Sequence, residues 1–390
     1  MQKNHPQFLS AEVWGGATFD VALRFLHECP WQRLQDIRAA MPNVLLQMLF
    51  RGSNAVGYSA YPRNVIEQFI EQASASGIDI FRIFDSLNNI ESMLPAIDTV
   101  IRHTKGIAQA SICYTGNVTT DNSYKYNLDY YTDLAKRLED AGAHMLAIKD
   151  MAGLLRPQAA EMLVPALKEA VSIPVVLHTH DTAGIQLLTY LKAIDSGIDA
   201  VDTAIAGLSG TTSQPSLNSM LTLMEGHPRA HQMDLRNLNE HSNYWSVVRD
   251  YYFPFESDLK APTVEVYENE IPGGQYSNLR QQAEAVGLGS QIEEIKKNYI
   301  VVNDMFGDIV KVTPSSKVVG DMALFMTSNR LTREDILDNS QVHSFPASVI
   351  GFFKGALGIP YGGFPEPLRS IVLKNEKKYR TEPGSGPPMM

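Results

Sequence analysis

Between residue 11 and about residue 225 the chain repeats one unit: a short apolar run, a polar loop, an amphipathic stretch, then a small or glycine-bearing turn into the next apolar run. Strand candidates begin near Glu12, Val44, Ile80, Ile107, His144, Pro174 and Ala200. Three of the returns read alike: Ala75-Ser-Gly-Ile-Asp79, Asp140-Ala-Gly-Ala-His144 and Asp195-Ser-Gly-Ile-Asp199. Each places a glycine where a helix ends in left-handed backbone. Parallel neighbours can be joined only by a crossover of a dozen or so residues, so units of about thirty residues imply parallel strands with helices between them. The expected fold class is α/β, closing as a (β/α)8 barrel of the TIM type.

The count is one strand short. Residues 1–10 read as a helix remnant or lead-in, so the first barrel strand is expected to be missing, which leaves two strand edges for another segment to cover. After about residue 226 the pattern changes to helices joined by long loops, with helical stretches at 240–252, 279–286, 291–305, 314–326 and 346–355. The segment Glu270-Ile-Pro-Gly-Gly-Gln-Tyr276 is too rich in turn residues for a strand. The expected division is a barrel over 1–225 carrying strands two to eight, a helical extension over 226–375, and a linker-like tail over 376–390.

A chain of 390 residues with 44% hydrophobic content can bury a large core. Its net charge of −10, with no run of Lys or Arg, argues against nucleic acid as a partner. No apolar stretch is long enough to span a bilayer and no signal-like core opens the chain, so a soluble intracellular protein is expected. Cys29 and Cys113 have neither metal spacing nor disulfide density, which fits a reducing compartment, and both are expected in the core.

Chemistry on a parallel barrel gathers at the carboxyl ends of the strands. The run Ile173-Pro-Val-Val-Leu-His178-Thr-His180 ends in two histidines that alternation puts on one face, half of a metal site or two satisfied histidines at a barrel mouth. One strand earlier, His144-Met-Leu-Ala-Ile148 ends in Lys149-Asp150, where buried charge is costly unless paired. Lys149 becomes an anionic oxygen ligand only by reacting with carbon dioxide to form a carbamate; otherwise it is a structural ion-pair partner. Arg51, closing Leu45-Leu-Gln-Met-Leu-Phe50, has the planar fork that suits a carboxylate, either that of an acid substrate or that of Asp85. Thr313 before Pro314 reads first as a helix N-cap, and its hydroxyl could also shuttle a proton.

These residues fall into a wider pattern: Trp14-Gly-Gly-Ala-Thr-Phe-Asp20, Gln47-Met-Leu-Phe-Arg51, Arg82-Ile-Phe-Asp-Ser86, Ile148-Lys-Asp-Met-Ala-Gly-Leu-Leu155, His178-Thr-His-Asp-Thr182, Ser213-Gln-Pro-Ser216, Glu270-Ile-Pro-Gly-Gly-Gln-Tyr276 and Val312-Thr-Pro-Ser-Ser-Lys317. Eight motifs in order over about three hundred residues resemble the biotin-dependent carboxyltransferase domain of pyruvate carboxylase. The resemblance implies a helical extension closing over the barrel and a divalent metal, zinc or manganese, held by Lys149 as its carbamate, His178 and His180. The family's fourth ligand, an aspartate in an Arg-Asp-Ala-His-Gln-type motif of the first strand, has no counterpart here. It further implies that Arg51 holds pyruvate, that Thr313 passes a proton between pyruvate and biotin, that Asp20 and Tyr58 orient carboxybiotin, and that Ser316 touches the biotin ring.

Oxaloacetate, the gluconeogenic and anaplerotic product, would form with biotin carried on another domain. Biotin carboxylase and carrier domains would be partners, in a homo-oligomer that is tetrameric in the family and sits in the cytoplasm, or in the mitochondrial matrix of a eukaryote. An oxaloacetate decarboxylase α subunit or a transcarboxylase subunit would share the same site residues. An inactive structural or oligomerising fragment, lacking the first strand, is the rival of another class.

Overall fold

In the computed structural model, which describes residues 5, 7–120, 124–256, 259–338, 340 and 343–374, the repeated unit becomes a curled parallel sheet wrapped by helices. Seven strands lie side by side in sequence order: β1 Ser10–Trp14, β2 Leu45–Phe50, β3 Ile80–Ile83, β4 Ile107–Cys113, β5 Met145–Asp150, β6 Val175–Thr179 and β7 Ala200–Val201. Every neighbouring pair is parallel. The arrangement is a TIM-type barrel lacking one strand, with β1 and β7 as its edges among the described residues. Ser10 already pairs with Leu45, so the lead-in reading fails there, while residues 1–4 and 6 and the 376–390 tail lie outside the described residues.

The three look-alike returns share one construction. Gly77, Gly142 and Gly197 have φ of +122°, +90° and +96°, a region glycine enters without Cβ strain. The residue after each glycine donates its N–H back into the helix it leaves: Ile78 to Ala73 O at 3.0 Å, Ala143 to Leu138 O at 3.2 Å and Ile198 to Ala193 O at 3.0 Å. The following side chain accepts a backbone N–H of the preceding strand. Asp79 takes that of Leu46 at 2.8 Å, His144 that of Ala108 at 3.1 Å and Asp199 that of Val175 at 2.7 Å. One tripeptide thus ends a helix and sets the register of the next strand.

The crossover helices bury one stripe each. In Leu128–Asp140 the buried positions are Tyr130, Tyr131, Leu134, Ala135 and Leu138, the three-and-four spacing of a helix face, and Asn127 caps the first turn by accepting from Tyr130 N at 3.0 Å. Their stripes and the outward strand faces make the barrel core, in which Cys113 is fully buried. Cys29 is exposed instead of buried, because it precedes Pro30, the first residue of the outward helix Pro30–Ala40.

A second core lies among the helices beyond the barrel, Gly273–Ala285, Ile292–Met305, Ser315–Asn329 and Ala347–Phe353. The turn-rich segment at 270–276 is resolved by Pro272, which leads into a helix starting at Gly273, earlier than the 279 expected from periodicity. Contacts across the two cores fix their relation: Tyr124 Oη donates to Asp308 Oδ2 at 2.7 Å, Tyr126 Oη donates to Asp308 O at 2.8 Å, and Ser315 Oγ lies 3.2 Å from Ser86 O. No helix among the described residues is long and apolar enough to cross a membrane.

Candidate functional site

The strand ends place Lys149 and His178 directly opposite each other, since β5 pairs with β6 in the register Lys149↔His178. His180 lies one turn of the pleat further on, and the two imidazoles meet with Nε2 to Nε2 at 3.3 Å. Each ring is held from behind. His178 Nδ1 lies 2.9 Å from Asp202 Oδ2, and His180 Nδ1 lies 2.6 Å from the carbonyl of Thr212. A carboxylate and a carbonyl only accept, so both Nδ1 atoms carry the proton and both Nε2 atoms present lone pairs. Gln214 Nε2, at 3.5 Å from His180 Nε2, is a long contact. Burial pushes His180 down to about 3, with His178 adding to the shift, and it lowers His178 as well. Both rings are neutral at physiological pH.

Two lone pairs facing one another repel unless a cation lies between them. Two nitrogens on one tetrahedral zinc, each about 2.0–2.1 Å from it, stand about 3.3 Å apart, which matches the separation here. Among the described residues no three His, Cys, Asp or Glu side chains converge as ligands, so a cation here needs oxygen from elsewhere.

Lys149 is the neighbour that could provide it. Its side chain is 1% exposed, with Nζ 2.9 Å from Met151 Sδ and 4.8 Å from the centre of the Phe84 ring. It makes no ion pair among the described residues, which overturns the structural ion-pair reading. Asp150 is otherwise engaged: its carboxylate accepts from Leu154 N, Leu155 N and Thr179 Oγ1. Burial lowers the Lys149 ammonium to about 8, and a neutral amine is the form that attacks carbon dioxide.

Arg51 lies beyond β2 with Nη1 donating to Val56 O at 3.0 Å and Gly57 O at 3.1 Å, and its guanidinium is 4.9 Å from the centre of the Tyr58 ring. Asp85 is not its partner. That carboxylate accepts from Leu87 N and Asn89 N of its own loop and from Ser92 Oγ of the following helix Ile90–His103, and Arg51 has no ion pair among the described residues. Tyr58 Oη donates to Asp20 Oδ2 at 3.0 Å, joining the short helix Gly16–Val21 after β1 to the loop after β2. Burial raises the Tyr58 hydroxyl, Arg51 opposes and Asp20 adds, with a net upward shift that keeps the phenol protonated.

Thr313 does not cap a helix. The following helix starts at Ser315 with Pro314 in the capping position, and Ser315 Oγ is the hydroxyl engaged with Val310 O, Val312 O and Ser86 O. The Thr313 hydroxyl has no hydrogen bond among the described residues, and its segment is tied to the barrel mouth by the Ser315–Ser86 contact. Ser316 is fully buried and its hydroxyl has no partner among them. Sequence reading missed Asp202 as a site residue; the signal was its place directly after β7, where the barrel pattern puts functional groups.

Comparison with known proteins places this geometry among relatives. A family profile described as HMGL-like matches residues 66–244, and one described as a conserved carboxylase domain matches residues 266–389. The chain is 56% identical over 379 residues to the pyruvate carboxylase of Bacillus subtilis, covering 97% of this chain and 33% of that protein. It is 47% identical over 388 residues to human mitochondrial pyruvate carboxylase, covering 99% and 33%. A structure of the carboxyl transferase domain from Rhizobium etli pyruvate carboxylase with pyruvate and biocytin superposes with a TM-score of 0.96 at 51% identity, covering 99% of this chain and 64% of that one. The chain therefore spans about a third of the length of the curated relatives it matches.

Proposed function

The chain belongs to the carboxyltransferase-domain family of the pyruvate carboxylases, and from that premise we propose that it transfers the carboxyl group of carboxybiotin to pyruvate, giving oxaloacetate. The observation that carries this reading is the pair of lone-pair-bearing Nε2 atoms 3.3 Å apart, opposite a buried lysine with no ion pair among the described residues. His178, His180 and Lys149 as its carbamate would hold a divalent cation, zinc or manganese. When bound, that cation supplies a fixed positive charge beside the developing enolate.

The chain's own residues do the rest. Arg51, free of carboxylate partners among the described residues, holds the pyruvate carboxylate by charge-assisted bonds. Carboxybiotin releases carbon dioxide at the mouth, with Tyr58 and Asp20 as the bonded pair that orients the ring. The Thr313 hydroxyl takes the proton from the pyruvate methyl while giving its own to the biotin ring, so the hydroxyl is regenerated and the enolate carbon attacks carbon dioxide. Ser316, whose buried hydroxyl has no partner among the described residues, touches the biotin ring. The helical part closes over the mouth; the Ser315–Ser86 and Tyr124–Asp308 bonds support that role.

The biotin carboxylase and biotin-carrier functions lie outside this stretch, as the threefold greater length of the relatives supports, within a homo-oligomer. Two free cysteines fit a reducing cytoplasm or matrix. An inactive chain is favoured by one observation, the β1 and β7 edges left unpaired among the described residues. The deciding measurement is biotin-stimulated oxaloacetate decarboxylation by the chain. Activity lost about 100-fold or more in Thr313→Ala establishes the transfer reading, whereas no activity in the unsubstituted chain, or full activity in Thr313→Ala, sinks it.

A further inference from the structure

Asp202 is held at four points that nothing in the proposed chemistry uses. Its N–H donates to Leu177 O at 3.0 Å and its carbonyl accepts from the Tyr190 hydroxyl, which locks the backbone beside β6. Its Oδ2 accepts from Arg82 Nη1 and faces His178 Nδ1. Arg82, only 1% exposed, is itself pinned by Gln109 Oε1 at 2.5 Å from Nε and by Glu12 Oε2 at 3.1 Å from Nη1. The line from β1 through β3 and β7 to β6 thus ends on one ring nitrogen. Arg82 Nη1 also lies 3.3 Å from that nitrogen, but its two protons have the carboxylates of Asp202 and Glu12 as the stronger acceptors, whereas Asp202 Oδ2, nearer to Nδ1 at 2.9 Å, can only accept. The carboxylate therefore decides the tautomer.

We propose that Asp202 is the positioning residue of the metal site, holding His178 with its proton on Nδ1 and its Nε2 lone pair aimed at the cation, and that buried Arg82 anchors Asp202 in that role. The inference rests on the metal reading above. The physical reason is that a free imidazole samples both tautomers and rotates, whereas a ring bonded from behind to a fixed carboxylate presents one nitrogen in one direction. His180 obtains the same result from the Thr212 carbonyl, which no side-chain substitution removes. Asp202 is the half of the site that mutation can test.

The full chain is labelled with 15N-histidine, and the His178 tautomer is read from long-range 1H–15N spectra of the metal-free protein, with assignment by loss in His178→Ala. Zinc affinity is measured beside it by chelator competition. The unsubstituted chain should show protonated Nδ1 and bare Nε2. Asp202→Ala should mix the tautomers and weaken zinc about 10- to 100-fold, with Asp202→Glu recovering part of both. Should Asp202→Ala not fold, the double variant Arg82→Met/Asp202→Leu, which leaves no unpaired guanidinium, is scored in its place. Protonated Nε2 in the unsubstituted chain, or a tautomer and affinity unmoved by losing Asp202, overturns the proposal. If His178→Ala binds zinc as tightly as the parent, the metal reading falls, and the tautomer, which needs no metal, still decides the role of Asp202.

Discussion

Lys149 shows what one side chain can reveal. A lysine that is 1% exposed, with an aromatic face and a thioether beside its ammonium and no ion pair among the described residues, is charged at a cost, and burial lowers it to about 8. Its unfolded value is near 10.5, so the folded chain holds the ammonium against its burial, at a penalty of about 3 kcal/mol. Because the folded value is the lower one, the penalty is fully present below about pH 8 and fades as the pH rises towards 10.5. Lys149→Met should therefore raise the stability of the metal-free chain by about 1–3 kcal/mol in urea titrations at pH 7 and by much less at pH 10, while ending carbon-dioxide-dependent metal uptake. A variant less stable at pH 7 would show that Lys149 is held by interactions the structure does not contain.

At the scale of elements, the three glycine returns were legible because each is local: a helix end, a left-handed residue and a strand start within five positions. Gly197 has open space around a prospective Cβ, so Gly197→Ala isolates backbone strain and should cost about 1–2 kcal/mol. In Gly142→Ala the new Cβ also meets Ile101 Cδ1 at 2.9 Å, so the loss should be larger unless that side chain turns. Equal losses in paired thermal unfolding curves would mean that Ile101 yields freely. The same local logic failed at Thr313 and Gly273. Capping chemistry favoured Thr313, yet the helix starts at Ser315 with Pro314 in the capping position and no side-chain cap, and Pro272 started a helix inside a turn-like sequence.

At the scale of the molecule, the mouth depends on bonds between the barrel and the helical part. Tyr124 donates to Asp308, which also accepts from Asn303 Nδ2 and lies 3.5 Å from Lys311 Nζ. Tyr124→Phe removes one of these contacts and should cost about 1–2 kcal/mol. Its sharper signature is local: faster hydrogen exchange across 306–316 and a fall in turnover with little change in metal content, because Thr313 rides on that segment. Unchanged exchange there would separate Thr313 from the barrel–helix contact.

The sequence alone carried whatever repeats or sits close along the chain: short apolar strands, crossover helices, glycine turns, and two histidines spaced to share a face at the end of β6. The family motifs singled out Lys149, Arg51 and Thr313. Only the tertiary structure decided the partners. Arg82 meets Asp202 across 120 positions, Ser315 meets Ser86 across 229, and Arg51 and Asp85, 34 positions apart and both at strand ends, go to different tasks. Periodicity reports which face a residue takes, because that follows from backbone geometry repeated every few ångströms. Which two faces meet follows from how the sheet curls and where the helices dock, and no short stretch of the chain contains that.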